Sequence, residues 1–135
     1  MASMVDRERA EQAARGTQDP EAFREACAVF GDAGALARLD VFRADLETHL
    51  SWIEQGRPDH EQLREMAHRT AGWAGLFGFP ALAEASAHLD EAVRGNPGIE
   101  AALARWTEQA RLASKIATDE TTSGVSATKD IPPGR

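Results

Sequence analysis

The chain holds one cysteine, Cys27, and no tyrosine, and aromatic residues make up only 6% of it. A single cysteine excludes an intrachain disulfide and any metal site built on paired thiolates. Cys27 falls in an apolar helical stretch and reads as a small core residue. Valine and isoleucine are scarce beside alanine and leucine, a balance that favours helix over strand. No run approaches the roughly 20 apolar residues of a membrane span, and Met1 to Asp6 lack the apolar stretch of a signal peptide. No cluster of Lys or Arg stands out, and the formal charge is -7. That balance speaks against nucleic acid and against anionic membranes as partners. A cytoplasmic chain whose partners are proteins is the expectation.

What is present is helical periodicity. The 135 residues, 42% of them apolar, suit a single core. Residues 1–18 are charged and Ala-rich, a flexible or weakly helical segment. Asp19-Pro20 reads as an N-cap followed by a first-turn proline. A short helix follows with Phe23, Ala26, Cys27 and Phe30 on one stripe, ended by Gly31 and Gly34. Leu36, Leu39, Phe42, Leu46, Leu50 and Ile53 then recur at three- and four-residue steps, up to the Gly56-Arg57-Pro58 stop. Asp59 with Gln62 forms a capping-box pattern. The helix behind it buries Leu63, Met66, Ala67, Thr70, Ala74 and Phe77, and Gly78 and Pro80 close it. Leu82, Ala85, Leu89, Ala92 and Val93 mark a fourth helix, and Gly95-Asn96-Pro97-Gly98 a turn. Ile99, Leu103, Trp106, Ala110, Ala113 and Ala117 mark a fifth. Beyond Thr118 the composition turns to Thr, Ser, Gly, Lys, Asp and Pro, which reads as a disordered tail over 119–135. Residues 19–118 are thus expected to form an all-α, antiparallel up-down four-helix bundle with a short preceding helix.

At about 100° per residue, His68 points more than roughly 90° from the centre of the apolar face of its helix, into solvent. Ala71, Gly72 and Gly75, three, four and seven residues on, share its face. Helix-interior glycine costs roughly 0.5–1 kcal/mol relative to alanine, so two in one helix need a reason. An imidazole that receives and surrenders a phosphoryl group in line needs such open space. Neutral imidazole is nucleophilic near neutral pH, and nearby cations stabilise phosphoryl oxygens. Arg64 lies one turn before His68, and Arg69 is adjacent. His49, His60 and His88 read as idle surface histidines. Close packing against a neighbouring helix is the other reason for the glycines.

The run His68-Arg69-Thr70-Ala71-Gly72-Trp73-Ala74-Gly75-Leu76-Phe77-Gly78 resembles the signature of histidine phosphotransfer (HPt) domains of bacterial phosphorelays. Gly72, Ala74, Gly75, Phe77 and Gly78 match its glycine, small and apolar positions. Met66-Ala67, Phe42, Leu46, Leu82, Ala85, Leu89 and Asp90 extend the likeness, over roughly Pro20 to Ala117. The resemblance implies phosphorylation of His68 by a receiver-domain aspartate and onward transfer to another. The expected partners are receiver domains of a hybrid histidine kinase and of response regulators. It implies no cofactor and no metal in this chain, since the receiver brings Mg²⁺, and a monomer is expected. Arg64 and Arg69 are the expected auxiliary cations, and Ala71, Gly72, Gly75 and Phe79 the expected partner-binding residues. The family's usual lysine three residues after the histidine is Ala71 here, and its small polar residue at five is Trp73. An HPt-like bundle that docks receivers without being phosphorylated is therefore the alternative. Glu65-x-x-His68 also matches half of a di-iron bundle motif, but only one copy exists and its histidine points outward.

Overall fold

The Asp19 carboxylate accepts a hydrogen bond from the Glu21 N–H at 3.0 Å and caps α1, Pro20–Phe30, whose first residue is proline. The computed structural model describes residues 18–56, 58–95 and 98–129, with side chains to residue 122. Gly31, at φ 77°, is the sole residue between α1 and α2, Asp32–Glu54. Gly34, expected to help end α1, therefore lies in the first turn of α2. The capping box forms as anticipated: the Gln62 N–H donates to Asp59 Oδ1 at 2.8 Å, and the Asp59 N–H to Gln62 Oε1 at 2.9 Å. It opens α3, His60–Phe77, which ends on left-handed Gly78. After α4, Pro80–Val93, glycines 95 and 98 at positive φ turn the chain into α5, Ile99–Lys129.

Short connections make consecutive helices antiparallel neighbours. α3 packs on α4, α4 on α5 and α5 on α2, while α2 and α3 touch most sparingly. α1 lies against both α2 and α3. The result is a four-helix ring with one loosely closed seam, and five helices and no strand among the described residues. Leu39, Phe42 and Leu46 of α2 meet Leu63 and Phe77 of α3, Leu82 and Leu89 of α4 and the Ala110, Ala113 and Ala117 stripe of α5. Trp106 is fully buried, and its Nε1–H donates to Ser86 Oγ at 3.0 Å, which satisfies both polar atoms inside the core.

Three further expectations are corrected. Phe79, assigned to the partner surface, is 1% exposed. The left-handed turn at Gly78 returns the chain over the bundle and drops the Phe79 ring 5.7 Å from that of Phe42. The tail expected to be disordered from 119 is helical to Lys129, because nothing between Thr118 and Thr122 breaks the helix once it is nucleated. Thr118 and Thr121 donate back to the carbonyls of Ser114 and Ala117, and the Gln18 amide donates to half-buried Glu120 at 3.4 Å. His49, read as an idle surface residue, is buried in α2. The weak helix expected before residue 18, Arg57, Asn96-Pro97 and residues 130–135 lie outside the described residues. No described helix is long and apolar enough to cross a membrane.

Candidate functional site

The inward face of α3 is fixed by burial of Leu63, Met66, Ala67, Thr70, Ala74 and Phe77, the six residues expected there. Thr70 keeps its hydroxyl satisfied by donating to the Met66 carbonyl at 2.7 Å. With that face locked inward, His68 is exposed on the opposite side. Side chains on a helix lean towards its N-terminus, a direction that for His68 leads towards the turn of Arg64 and Glu65. The turns after it carry half-buried Ala71 and exposed Gly72 and Gly75. A Cβ built on Gly72 or on Gly75 meets nothing within 4 Å. Neither glycine therefore serves close helix packing. Gly78 is of the other kind: its φ is 79°, and a Cβ there would stand 2.5 Å from the Asp19 carbonyl oxygen.

The flanking arginines are tethered to opposite neighbours. Arg64 Nε stands 3.6 Å from Asp90 Oδ1 on α4, and the same carboxylate holds Arg94 through Oδ2 at 3.3 Å. Arg69 Nε stands 2.8 Å from Asp45 Oδ2 on α2, across the sparse seam. That oxygen is shut off from water and closes no hydrogen bond, so the ion pair is its compensation. One turn further along α2, His49 is 9% exposed with Nδ1 unpartnered, its ring 5.2 Å from that of Trp52. Burial lowers its pKa below the usual histidine value, against the pull of Asp45, and Arg69 adds to the lowering.

The structure thus gathers His68, Arg64, Arg69, Ala71, Gly72 and Gly75 on one side of α3 and leaves Phe79 in the core. Trp73, a departure from the family pattern, is partly buried and stacks at 6.3 Å on Phe42 and 5.9 Å on Phe77. Bulk at that position faces the α2–α3 seam and leaves the histidine's surroundings open. Glu65 and His68 are both exposed, and no group of three metal-ligating side chains is gathered among the described residues. Sequence reading does not single out Asp45 or the pairing of Asp90. The signal for the latter was the i, i+4 spacing of Asp90 and Arg94 on the polar side of α4.

Exposed His68 thus stands on α3 ahead of two glycines whose outward side is open. The family model of the Hpt domain matches residues 37–118, and the chain belongs to the Hpt domain family. Domains of this family carry out histidine phosphotransfer in phosphorelays and interact with receiver domains. No curated protein and no solved structure matches the chain.

Proposed function

We propose that His68 is the phosphoacceptor of this domain, loaded by a receiver-domain aspartyl phosphate and unloaded onto a second receiver aspartate. The receivers are those of a hybrid histidine kinase and of response regulators. The observation that carries the reading is the empty space beside exposed His68, where Gly72 and Gly75 would place a Cβ against nothing. In the loading step the lone pair of one imidazole nitrogen attacks phosphorus. The P–O bond to the aspartate breaks, and the carboxylate leaves with the electron pair. The return step is the same displacement onto the second aspartate, with imidazole as leaving group. This chain contributes the nucleophile, its placement and local positive charge from Arg64 and Arg69. Mg²⁺ belongs to the receiver, where it would neutralise the phosphoryl oxygens in both directions.

Alanine at 71, where the family usually has lysine, favours a second reading in which the bundle docks receivers and never carries phosphate. One experiment separates them: incubation of the wild type and His68→Gln with a phosphorylated receiver. The first reading expects label on the wild type alone. Label on both, or on neither while both still bind the receiver, contradicts it.

A further inference from the structure

We propose that Asp90 is a positioning residue that parks the Arg64 guanidinium beside His68 and surrenders it to the phosphoryl group, with Arg94 keeping the carboxylate paired once Arg64 leaves. The proposal rests on His68 as phosphoacceptor and assigns roles to two residues on a different helix. Three observations carry it.

The first is that the Arg64–Asp90 contact is loose. Its 3.6 Å separation exceeds the ~2.7–2.9 Å of a charge-assisted hydrogen bond, and the Arg64 side chain is 55% exposed. Such a contact costs little to break.

The second is that Asp90 is shared. Its Oδ2 lies 3.3 Å from Arg94, four residues on at the C-cap of α4. Departure of Arg64 therefore strands no charge.

The third is the contrast with Arg69. That guanidinium sits 2.8 Å from an Asp45 oxygen closed to solvent. Pulling Arg69 away would break the shorter contact and leave Asp45 without the second cation that Asp90 has among the described ion pairs. Of the two arginines flanking His68, only Arg64 can change partners cheaply. The lean of the His68 side chain towards the N-terminus of α3 directs the phosphorylated ring towards the turn that carries Arg64. A phosphoryl group, with more charge than one carboxylate and three acceptor oxygens, outcompetes Asp90 for the guanidinium. Glu65, on the same turn, repels the phosphoryl group, and Arg64 offsets it.

The test is the equilibrium partition of labelled phosphoryl between this chain and one receiver. The variants are Arg64→Ala, Asp90→Asn, Arg94→Ala, and the latter two combined with Arg64→Ala. Arg64 and Arg94 are exposed and Asp90 is half-buried, and circular dichroism checks the fold of each variant. Arg64→Ala shifts the partition away from His68 by about twofold to fivefold, the range of an exposed ion pair. Asp90→Asn releases Arg64 and shifts the partition towards His68, while Arg94→Ala tightens the Arg64–Asp90 pair and shifts it away. Both effects disappear in the Arg64→Ala background. Effects that persist there at full size are through-space charge and overturn the exchange, as does an Arg64→Ala variant that partitions like the wild type. A wild type that takes no label overturns the phosphoacceptor reading and this one together, so the two failures are distinguishable. In the wild type itself, the Arg64 Nε–H resonance shifts on phosphorylation while that of Arg69 stays; the reverse pattern overturns the proposal.

Discussion

Filling the space at Gly72 separates access from folding. The structure places nothing within 4 Å of a Cβ at this position, so a side chain there enters solvent in the free domain. Replacing a helix-interior glycine by alanine is worth roughly 0.5–1 kcal/mol, and glutamine is nearly as good a helix former. For a bundle of this size each kcal/mol moves Tm by roughly 4–8 °C, so Gly72→Ala and Gly72→Gln should raise it by about 2–8 °C. Gly78→Ala is the opposing control. Its φ of 79° and the 2.5 Å approach to the Asp19 carbonyl oxygen allow no Cβ without movement. A non-glycine residue in that conformation costs about 1–2 kcal/mol before the clash is counted, so Tm should fall by more than about 4 °C. Transfer should run the other way. Gly72→Gln puts a long side chain where the receiver must close, and a misplacement of about 1 Å at a reacting centre can cost 10²-fold. Thermal melts followed at 222 nm, paired with single-turnover phosphotransfer, read both quantities. A Gly72→Gln domain that melts lower than the wild type, or transfers at the wild-type rate, refutes the reasoning.

Two further predictions concern residues that the structure moved indoors. Phe79→Ala removes a ring that is 1% exposed and should destabilise the domain by roughly 3–5 kcal/mol in urea melts; a loss below about 1 kcal/mol would return Phe79 to the surface. His49, its pKa lowered by burial, is held neutral in the fold and takes a proton more readily when unfolded. Its contribution is present above its unfolded pKa, near 6.5, and is lost as pH falls through the window below that value. His49→Leu should therefore flatten the pH dependence between about pH 7.5 and 5.5; urea midpoints that fall equally in both proteins would show that His49 is not the titrating group.

The helices were legible because their signals are local. Asp59 with Gln62, Gly78 followed by Pro80, and the Leu39–Phe42–Leu46 spacing each specify structure within a few residues. The outward direction of His68 followed from the same periodicity. The direction of Phe79 depends on the turn at Gly78, and a cap residue has no helical phase to count from. The burial of His49 is illegible for a different reason. The residue lies one position before Leu50 on the flank of the α2 stripe, where helical phase alone does not decide burial. The extension of α5 escaped because composition alone marks 119–129 as polar, whereas a helix already nucleated by a packed bundle runs on through such residues. The ion pairs of Arg64 and Arg69 join different helices, so no spacing within the chain announces them.

The most direct test of the central claim is to find where the phosphoryl group sits. The wild-type domain is loaded from a phosphorylated receiver, kept at alkaline pH and fragmented, and the modified residue is read by mass spectrometry. Phosphate on His68, as an acid-labile phosphoramidate, is the predicted result. Phosphate on His49, His60 or His88, or on a carboxylate, would contradict it.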